Sequence, residues 1–229
     1  MTDIFAVSLL EESVFEHIKP DLMARVPETT RLKIAAFARS NDAQRSLLGE
    51  TLARHLLIKA TNSELPDQAF STGEKGKPGP DGYMGIHFNI SHSGNWVTVA
   101  LSPVAVGVDV ERMRKVPEGV ARRFFSEKEN SLLDNAGSDK EKAEIFFTLW
   151  TLKESFLKAI GKGLTKSLSS FTVLQTGDQA FRLTDDPEAN GYFLKTFNLC
   201  EGYKLAACAA KESFNDEVKI FTAQELARF

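Results

Sequence analysis

Cysteine is almost missing from this chain: Cys200 and Cys208 are the only two in 229 residues. That is too few for a disulfide framework or a zinc site, and both are expected to be small buried hydrophobes. An excess of basic charge is also lacking. Lys and Arg number 28 against 31 Asp and Glu, a formal net charge of -3, so the chain has no overall attraction for nucleic acid and any anion site must be a local cluster. No apolar run approaches the ~20 residues that a membrane span needs. The opening MTDIFAVSLLEESVFEHIKP carries acids early and no basic stretch, so no leader is expected either. These absences predict a soluble, cytoplasmic protein that engages neither nucleic acid nor membrane.

What the chain does have is material for a core. With 42% hydrophobic and 26% charged residues, it can build one large or two small domains, which excludes global disorder. Leu32, Ala35 and Ala36, then Leu47, Leu48, Leu52 and Leu56, recur at three-to-four spacing and predict helices over 29–39 and 42–60, with Ser40-Asn41-Asp42 as the break and N-cap. Seven glycines and prolines crowd the stretch from Gly73 to Gly85, which permits only loop and turn. HFNISHSGNWVTVALSP and VAVGVDVERM are rich in Val, Ile, Phe and Trp and part at Ser102-Pro103, predicting strand, turn and strand. Gly119 to Leu133 predicts a helix or helix pair. Asp139 to Ile160 predicts a long helix stopped by Gly161 and Gly163, with Phe146, Leu149, Trp150, Leu157 and Ile160 on its apolar face. Beyond Leu164 the strand-like runs FTVLQ, AFRL, YFLKTF, YKLAACAA and VKIFTA follow. The fold class is mixed α/β. A long helix near an apolar strand occurs twice, in 1–103 and in 104–229, hinting at two similar halves joined near Ser102-Pro103.

Three stretches could carry chemistry. Gly107-Val108-Asp109-Val110-Glu111 sets two carboxylates two residues apart at the end of an apolar strand, so both project from one face. Hard oxygen atoms so placed suit Mg²⁺, which takes one or two carboxylates and completes its shell with water and phosphate oxygens; the alternative is a polar strand end meeting solvent. Glu154 and Lys158 lie one turn apart on the long helix. They make either a surface ion pair or a third carboxylate with a lysine that neutralises phosphate charge. Phe88-Asn89-Ile90-Ser91-His92-Ser93 interrupts an apolar run with groups that could hold a phosphate, or could form a polar turn. No serine elbow or cysteine partner at a recognisable spacing supports a triad around His92. Lys75, Lys77 and Arg45 add positive charge that is solvated by default. GEKGKPGP lacks the spaced glycines and the Lys-Ser/Thr of a P-loop, which argues against a nucleotide triphosphatase.

In order along the chain, Gly76-Lys77-Pro78, Asn89 to Ser93, Gly107 to Glu111 and Trp150 to Lys158 resemble the series GKP, N-x-SHS, G-x-D-x-E and W-x-x-KE-x-x-x-K of the Sfp-type (surfactin-synthetase-activating type) 4'-phosphopantetheinyl transferases. Arg123 to Ser126 (RFFS) and Gly161 to Leu164 (GKGL) are similar to the same family, so the likeness covers nearly the whole chain. It implies a pseudo-twofold fold of two α/β halves with coenzyme A in the cleft between them. The N-terminal half, 1–103, would contact the adenosine end. The C-terminal half, 104–229, would carry the metal and catalytic residues.

The resemblance further implies that Asp109, Glu111 and Glu154 hold Mg²⁺, with Mn²⁺ as the alternative, and that Lys158 meets the phosphates. Arg45, Lys77, Ser91 and His92 would grip the adenosine end, His92 near the 3'-phosphate, with Lys33 as a further basic contact. One departure is Thr30, where the family has a basic residue; Ser155 stands where alanine is commoner. The implied reaction moves phosphopantetheine from coenzyme A to a serine of an acyl or peptidyl carrier protein in fatty-acid, polyketide or nonribosomal-peptide synthesis, releasing adenosine 3',5'-bisphosphate. Glu154 is the expected base, acting directly or through a water, with Asp109 and Lys158 completing the catalytic set. Phe124, Phe125, Leu132 and Leu133 could dock the carrier, although core packing suits the phenylalanines better. A two-half chain can form its site without a second subunit, so a monomer is expected. The rival readings are a Mg²⁺-dependent phosphohydrolase and a carrier-binding module with a degenerate site.

Overall fold

The computed structural model describes residues 1–65, 84–116 and 119–229. Two sheets carry the chain. The first has the order β2-β3-β1-β9, built from β1 (Thr2–Ser8), β2 (His87–Ser93), β3 (Trp96–Ser102) and β9 (Phe214–Phe221). The second has the order β4-β8-β7-β6-β5, built from β4 (Val106–Arg112), β5 (Thr172–Gln175), β6 (Ala180–Thr184), β7 (Phe193–Phe197) and β8 (Tyr203–Ala209).

β1 lacks the period-two alternation of a half-buried strand. Ile4, Ala6 and Val7 are wholly buried and Phe5 nearly so. Such a run reads as a strand covered on both faces rather than an alternating one. The run HFNISHSGNWVTVALSP folds as a hairpin: β2 and β3 pair antiparallel from His87↔Ser102 to Ser93↔Trp96, turning at Gly94 with φ 56°. Only the five strands after Leu164 were expected there, and all five form.

The helices are α1 (Glu12–Met23), α2 (Glu28–Ala35), α3 (Ser40–Thr61), α4 (Val120–Phe124), α5 (Glu127–Asp134), α6 (Asp139–Ala159) and α7 (Ala223–Arg228). α2 ends four residues earlier than the apolar spacing predicted, and of the apolar residues in that stretch Leu32 and Phe37 are exposed rather than buried. α6 starts at Ser138, whose side chain accepts from the Glu141 amide, and stops at Gly161, whose φ of 70° a glycine adopts without strain. Leu152, Phe156 and Leu157 are wholly buried under the second sheet, and Phe146, Phe147 and Leu149 pack against Phe125 and Leu133. Each such side chain contributes about 1.5–3 kcal/mol by leaving water. Trp150 and Ile160 pack at the margin.

The strand order β2-β3-β1 recurs as β7-β8-β4, in each case with a long helix, α3 or α6, packed on it. The chain end then leaves the second sheet. β9 pairs parallel with β1, and Ala223, Leu226 and Ala227 of α7 enter the core formed by Phe15, Leu22 and Leu52.

Candidate functional site

The two sheets meet along the outer edge of β4. An edge strand exposes amide hydrogens that must find acceptors, and here the acceptors are side chains of β2 rather than another backbone. Asn89 Oδ1 accepts from the Val108 amide at 3.0 Å, Ser91 Oγ from Val110 at 3.3 Å and Ser93 Oγ from Arg112 at 3.1 Å. Asn89, Ser91 and Ser93 alternate along β2 and so share one face; residues 108, 110 and 112 alternate along β4 and point outward from its pairing with β8. The N-x-S-x-S spacing is thus a ladder of side chains matched to a strand edge, not a polar turn.

The same hydroxyls reach the carboxylates. Ser91 Oγ donates to Asp109 Oδ1 at 3.0 Å, and Ser93 Oγ donates to Glu111 Oε2 at 2.7 Å. Lys158 of α6 closes the group: its Nζ lies 2.6 Å from Asp109 Oδ1, 2.9 Å from Ser91 Oγ and 3.0 Å from the Val108 carbonyl. Gly107 makes that approach possible. A Cβ there would lie 2.1 Å from the Ser155 carbonyl and 2.5 Å from the Ala159 nitrogen, both backbone atoms of α6. The signal in the sequence for this role is a glycine near the start of a strand that faces a helix.

Asp109 is 5% exposed, and its Oδ2 is buried with no hydrogen-bond partner among the described residues. Glu111 is half-buried. Burial pushes its carboxyl up, the Ser93 hydrogen bond pulls it down, and the Asp109 charge pushes it up again. A buried and a half-buried carboxylate two residues apart, one with an orphaned oxygen, make a donor pair that suits a hard divalent cation. Among the described residues no group of three or more His, Cys, Asp or Glu forms a ready-made metal cage. Glu154 is half-buried on α6, one turn before Lys158.

Around the corner from the carboxylates lies a cleft of about 540 Å³ lined by Asp42, Arg45, His92, Ser93, Gly94, Arg112, Met113 and Arg114. Arg45 is fixed in it, donating to the Gly94 carbonyl at 2.6 Å and to Asp42 Oδ1 at 2.5 Å. His92 is exposed on one side, yet surrounding protein, and then the Arg45 and Lys158 charges, hold its imidazole below the usual histidine value; Asp42 and a backbone contact oppose them. Three guanidinium groups and an imidazole make this cleft an anion receptor. Arg112 and Arg114 lie one and three residues beyond Glu111, on the opposite parity to the two carboxylates, and their charges line the cleft without belonging to any of the sequence motifs.

The structure therefore brings Asp109, Glu111, Ser91 and Lys158 together, and Arg45 with His92. Ser91 is buried and turned toward Asp109, away from the cleft. Lys33 is exposed on α2 and does not line the cleft. Thr30, at the position of the departure, is buried and donates to Glu50 Oε2 at 2.8 Å, a structural role. Lys77, with the rest of the Gly76-Lys77-Pro78 segment and Lys75, lies outside the described residues.

Two other members of W-x-x-KE-x-x-x-K hold the frame. Trp150 stacks on Phe146 with ring centroids 5.8 Å apart. Lys153 is wholly buried, 2.6 Å from Glu129 Oε2, and donates to the Leu168 and Phe171 carbonyls. Glu129 also completes the capping box of α5, accepting from the amide of the N-cap Ser126 in the RFFS segment, and accepts from the Val173 amide. Phe125 and Leu133 are core residues and Phe124 packs edge-on against Trp150, which leaves Leu132 alone exposed among the four apolar docking candidates.

An α+β frame that sets a carboxylate pair and a lysine beside a cationic cleft is equipped to hold a phosphate-rich ligand and a hard cation at once. Its identity follows from its relatives. Residues 105–208 match the family model described as the 4'-phosphopantetheinyl transferase superfamily, and residues 18–104 match 4'-phosphopantetheinyl transferase, N-terminal. The chain is 38% identical over 205 residues to a 4'-phosphopantetheinyl transferase (ffp) of Bacillus subtilis, covering 90% of this chain and 91% of that one. It is 37% identical over 207 residues to the transferase Sfp of Bacillus subtilis strain 168, covering 89% and 91%. It is 35% identical over 213 residues to the transferase gsp of Aneurinibacillus migulanus, covering 92% and 87%. The chain belongs to the 4'-phosphopantetheinyl transferase family.

Proposed function

We propose that this protein transfers the 4'-phosphopantetheine arm of coenzyme A to a serine hydroxyl of an acyl or peptidyl carrier protein, converting the apo carrier to its holo form. The observation that carries this reading is the junction of Asp109, Ser91 and Lys158 between the two sheets, in which the second oxygen of Asp109 is buried without a hydrogen-bond partner among the described residues. Asp109, Glu111 and Glu154 would hold Mg²⁺, or Mn²⁺, since hard oxygen donors accept both. Bound there, such an ion would neutralise charge on the diphosphate.

The remaining work falls to side chains of this chain. Arg45 and His92 offer the cleft in which the adenosine-end phosphate sits, while Lys33, Lys77 and Ser91 are assigned to that end by family resemblance. Lys158 supports the phosphate oxygens as charge develops on them. Glu154 takes the proton of the carrier serine, directly or through a water. The serine oxygen forms a bond to the β-phosphorus, the bond from that phosphorus to the bridging oxygen breaks, and adenosine 3',5'-bisphosphate leaves with that oxygen. Catalysis is then chiefly positioning and charge stabilisation.

The two halves, 1–103 for the adenosine end and 104–229 for the carboxylates and Lys158, are the proposed division of labour. Because one chain supplies both, the protein is proposed to act as a monomer. No helix among the described residues is long and apolar enough to cross a membrane, and a coenzyme A-dependent reaction on carrier proteins is proposed to take place in the cytoplasm.

The test is intact-mass spectrometry of an apo carrier protein incubated with the enzyme, coenzyme A and Mg²⁺, with EDTA as control. The expected result is a metal-dependent gain of about 340 Da. No gain on fatty-acid, polyketide and nonribosomal-peptide carriers alike would overturn the reading.

A further inference from the structure

We infer that Ser93, supported by Ser91 and Asn89, is a positioning residue that aims the Glu111 carboxylate, and that the ladder between β2 and β4 sets the geometry of the carboxylate pair. The inference rests on the proposed metal role of Asp109 and Glu111. It concerns which residues hold that pair in place.

Ser93 Oγ is held from one side by the Arg112 amide at 3.1 Å and spends its own hydrogen on Glu111 Oε2 at 2.7 Å. A hydroxyl has one hydrogen and two lone pairs. Accepting from a fixed backbone amide orients that hydrogen, so Glu111 meets a donor whose direction is set by the strand. Ser91 repeats the arrangement two residues earlier, accepting from the Val110 amide and Lys158 and donating to Asp109 Oδ1. Each serine thus binds the amide of the residue following the carboxylate it orients. Asn89 starts the ladder on the Val108 amide and fixes the register, since a slip of one residue would turn every β2 hydroxyl to the opposite face.

The arrangement also leaves a specific pattern of free donor oxygens. Ser91 and Lys158 both engage Asp109 Oδ1, and Oδ2 has no hydrogen-bond partner. Ser93 engages Oε2 of Glu111. One oxygen of each carboxylate is anchored by the neighbouring strand, which holds the side chain in one rotamer, and for Asp109 the other oxygen has no hydrogen-bond partner among the described residues. Hydrogen bonds of this kind behind a ligating carboxylate commonly change metal affinity 10- to 100-fold.

The decisive comparison uses full-length Ser93→Ala, Ser93→Thr and Glu111→Gln, with Mn²⁺ binding followed by electron paramagnetic resonance in the presence of coenzyme A, and coenzyme A binding in EDTA followed by calorimetry. Ser93 is half-buried at the end of its strand, so a melting curve accompanies each variant. Ser93→Ala is expected to weaken Mn²⁺ about tenfold or more with coenzyme A affinity in EDTA unchanged, and Ser93→Thr, which keeps the hydroxyl, is expected to restore it. Ser93→Ala and Glu111→Gln together should weaken Mn²⁺ no further than Glu111→Gln alone, because the serine acts through that carboxylate.

If Glu111→Gln weakens Mn²⁺ while Ser93→Ala binds it as wild type does, the positioning role is overturned and the metal reading stands. If Glu111→Gln itself has no effect on Mn²⁺, the metal reading fails first. Loss of coenzyme A binding in EDTA by Ser93→Ala would make the residue a ligand contact of the cleft instead.

Discussion

Replacing Gly107 by alanine tests the close approach of β4 and α6 on which the site depends. The added methyl carbon would lie 2.1 Å from the Ser155 carbonyl, 2.5 Å from the Ala159 nitrogen and 2.8 Å from Lys158 Cβ. Two of these three are backbone atoms, so no rotamer change relieves the overlap. Reaching an ordinary contact of 3.4 Å requires α6 to withdraw by about 1.3 Å from β4. Overpacking of this kind costs about 1–3 kcal/mol, and the rigidity of the neighbours puts Gly107→Ala at the upper end. At about 2–4 °C per kcal/mol for a chain of this size, the melting temperature should fall by about 6–12 °C. Lys158 rides on the displaced helix, so its 2.6 Å contact with Asp109 would open; a misplacement of about 1 Å can lower turnover about 100-fold. Gly161→Ala is the comparator. Its φ of 70° strains an alanine, but no atom lies within contact of the new carbon, so about 1 kcal/mol of stability is lost with transfer retained. Differential scanning calorimetry and the carrier mass shift read the two effects. A Gly107→Ala protein that melts within about 2 °C of wild type and transfers within about threefold of it would refute the reasoning.

Removing one partner of the buried Lys153–Glu129 pair strands the other charge, so Lys153→Met is expected to cost about 3–5 kcal/mol, and adding Glu129→Gln should recover part of it; a single variant losing less than about 1 kcal/mol in urea unfolding would contradict the pair's role. Because the His92 imidazole sits below its usual value, it is largely neutral at pH 7 in the free protein; a phosphate in the cleft favours the charged form, so coenzyme A binding should take up a proton and tighten as pH falls from 8 to about 6. Calorimetry in buffers of different ionisation enthalpy checks this, and the proton uptake should disappear in His92→Gln. Glu154→Gln should lower kcat by about 10²–10⁴ with coenzyme A affinity nearly unchanged, as expected for a base; equal losses in both would point to a binding role. Asp109→Asn keeps the shape of the side chain but removes half of its ion pair with Lys158, and is expected to abolish transfer in the mass assay while the chain still melts cooperatively.

Much of this protein follows from local sequence alone. Helical spacing and the glycine stop at Gly161 placed α6 within one residue of its end, and spacing placed α3 within two residues of its start, although Ser40, Asn41 and Asp42, expected as its break and N-cap, lie inside the helix, whose cap position is Arg39 with no side-chain cap. The acidic alternation at 109 and 111 and the order of the four motifs were enough to point to the family, since side-chain direction along a strand has a period of two wherever the strand lies. What tertiary structure decided was which of those side chains meet. Ser91 and Asp109 are 18 residues apart in sequence, and Lys158 is 67 from Ser91; only the seating of the β2 hydroxyls on the free edge of β4 makes them neighbours. The same holds for Lys153, one residue from Glu154 yet turned into the core toward Glu129, and for β9, legible as a strand but paired with β1 because its apolar side chains complete the first sheet. Local propensity specifies elements; the pairing of their edges and faces, which depends on burying every amide and charge with a partner, specifies the site.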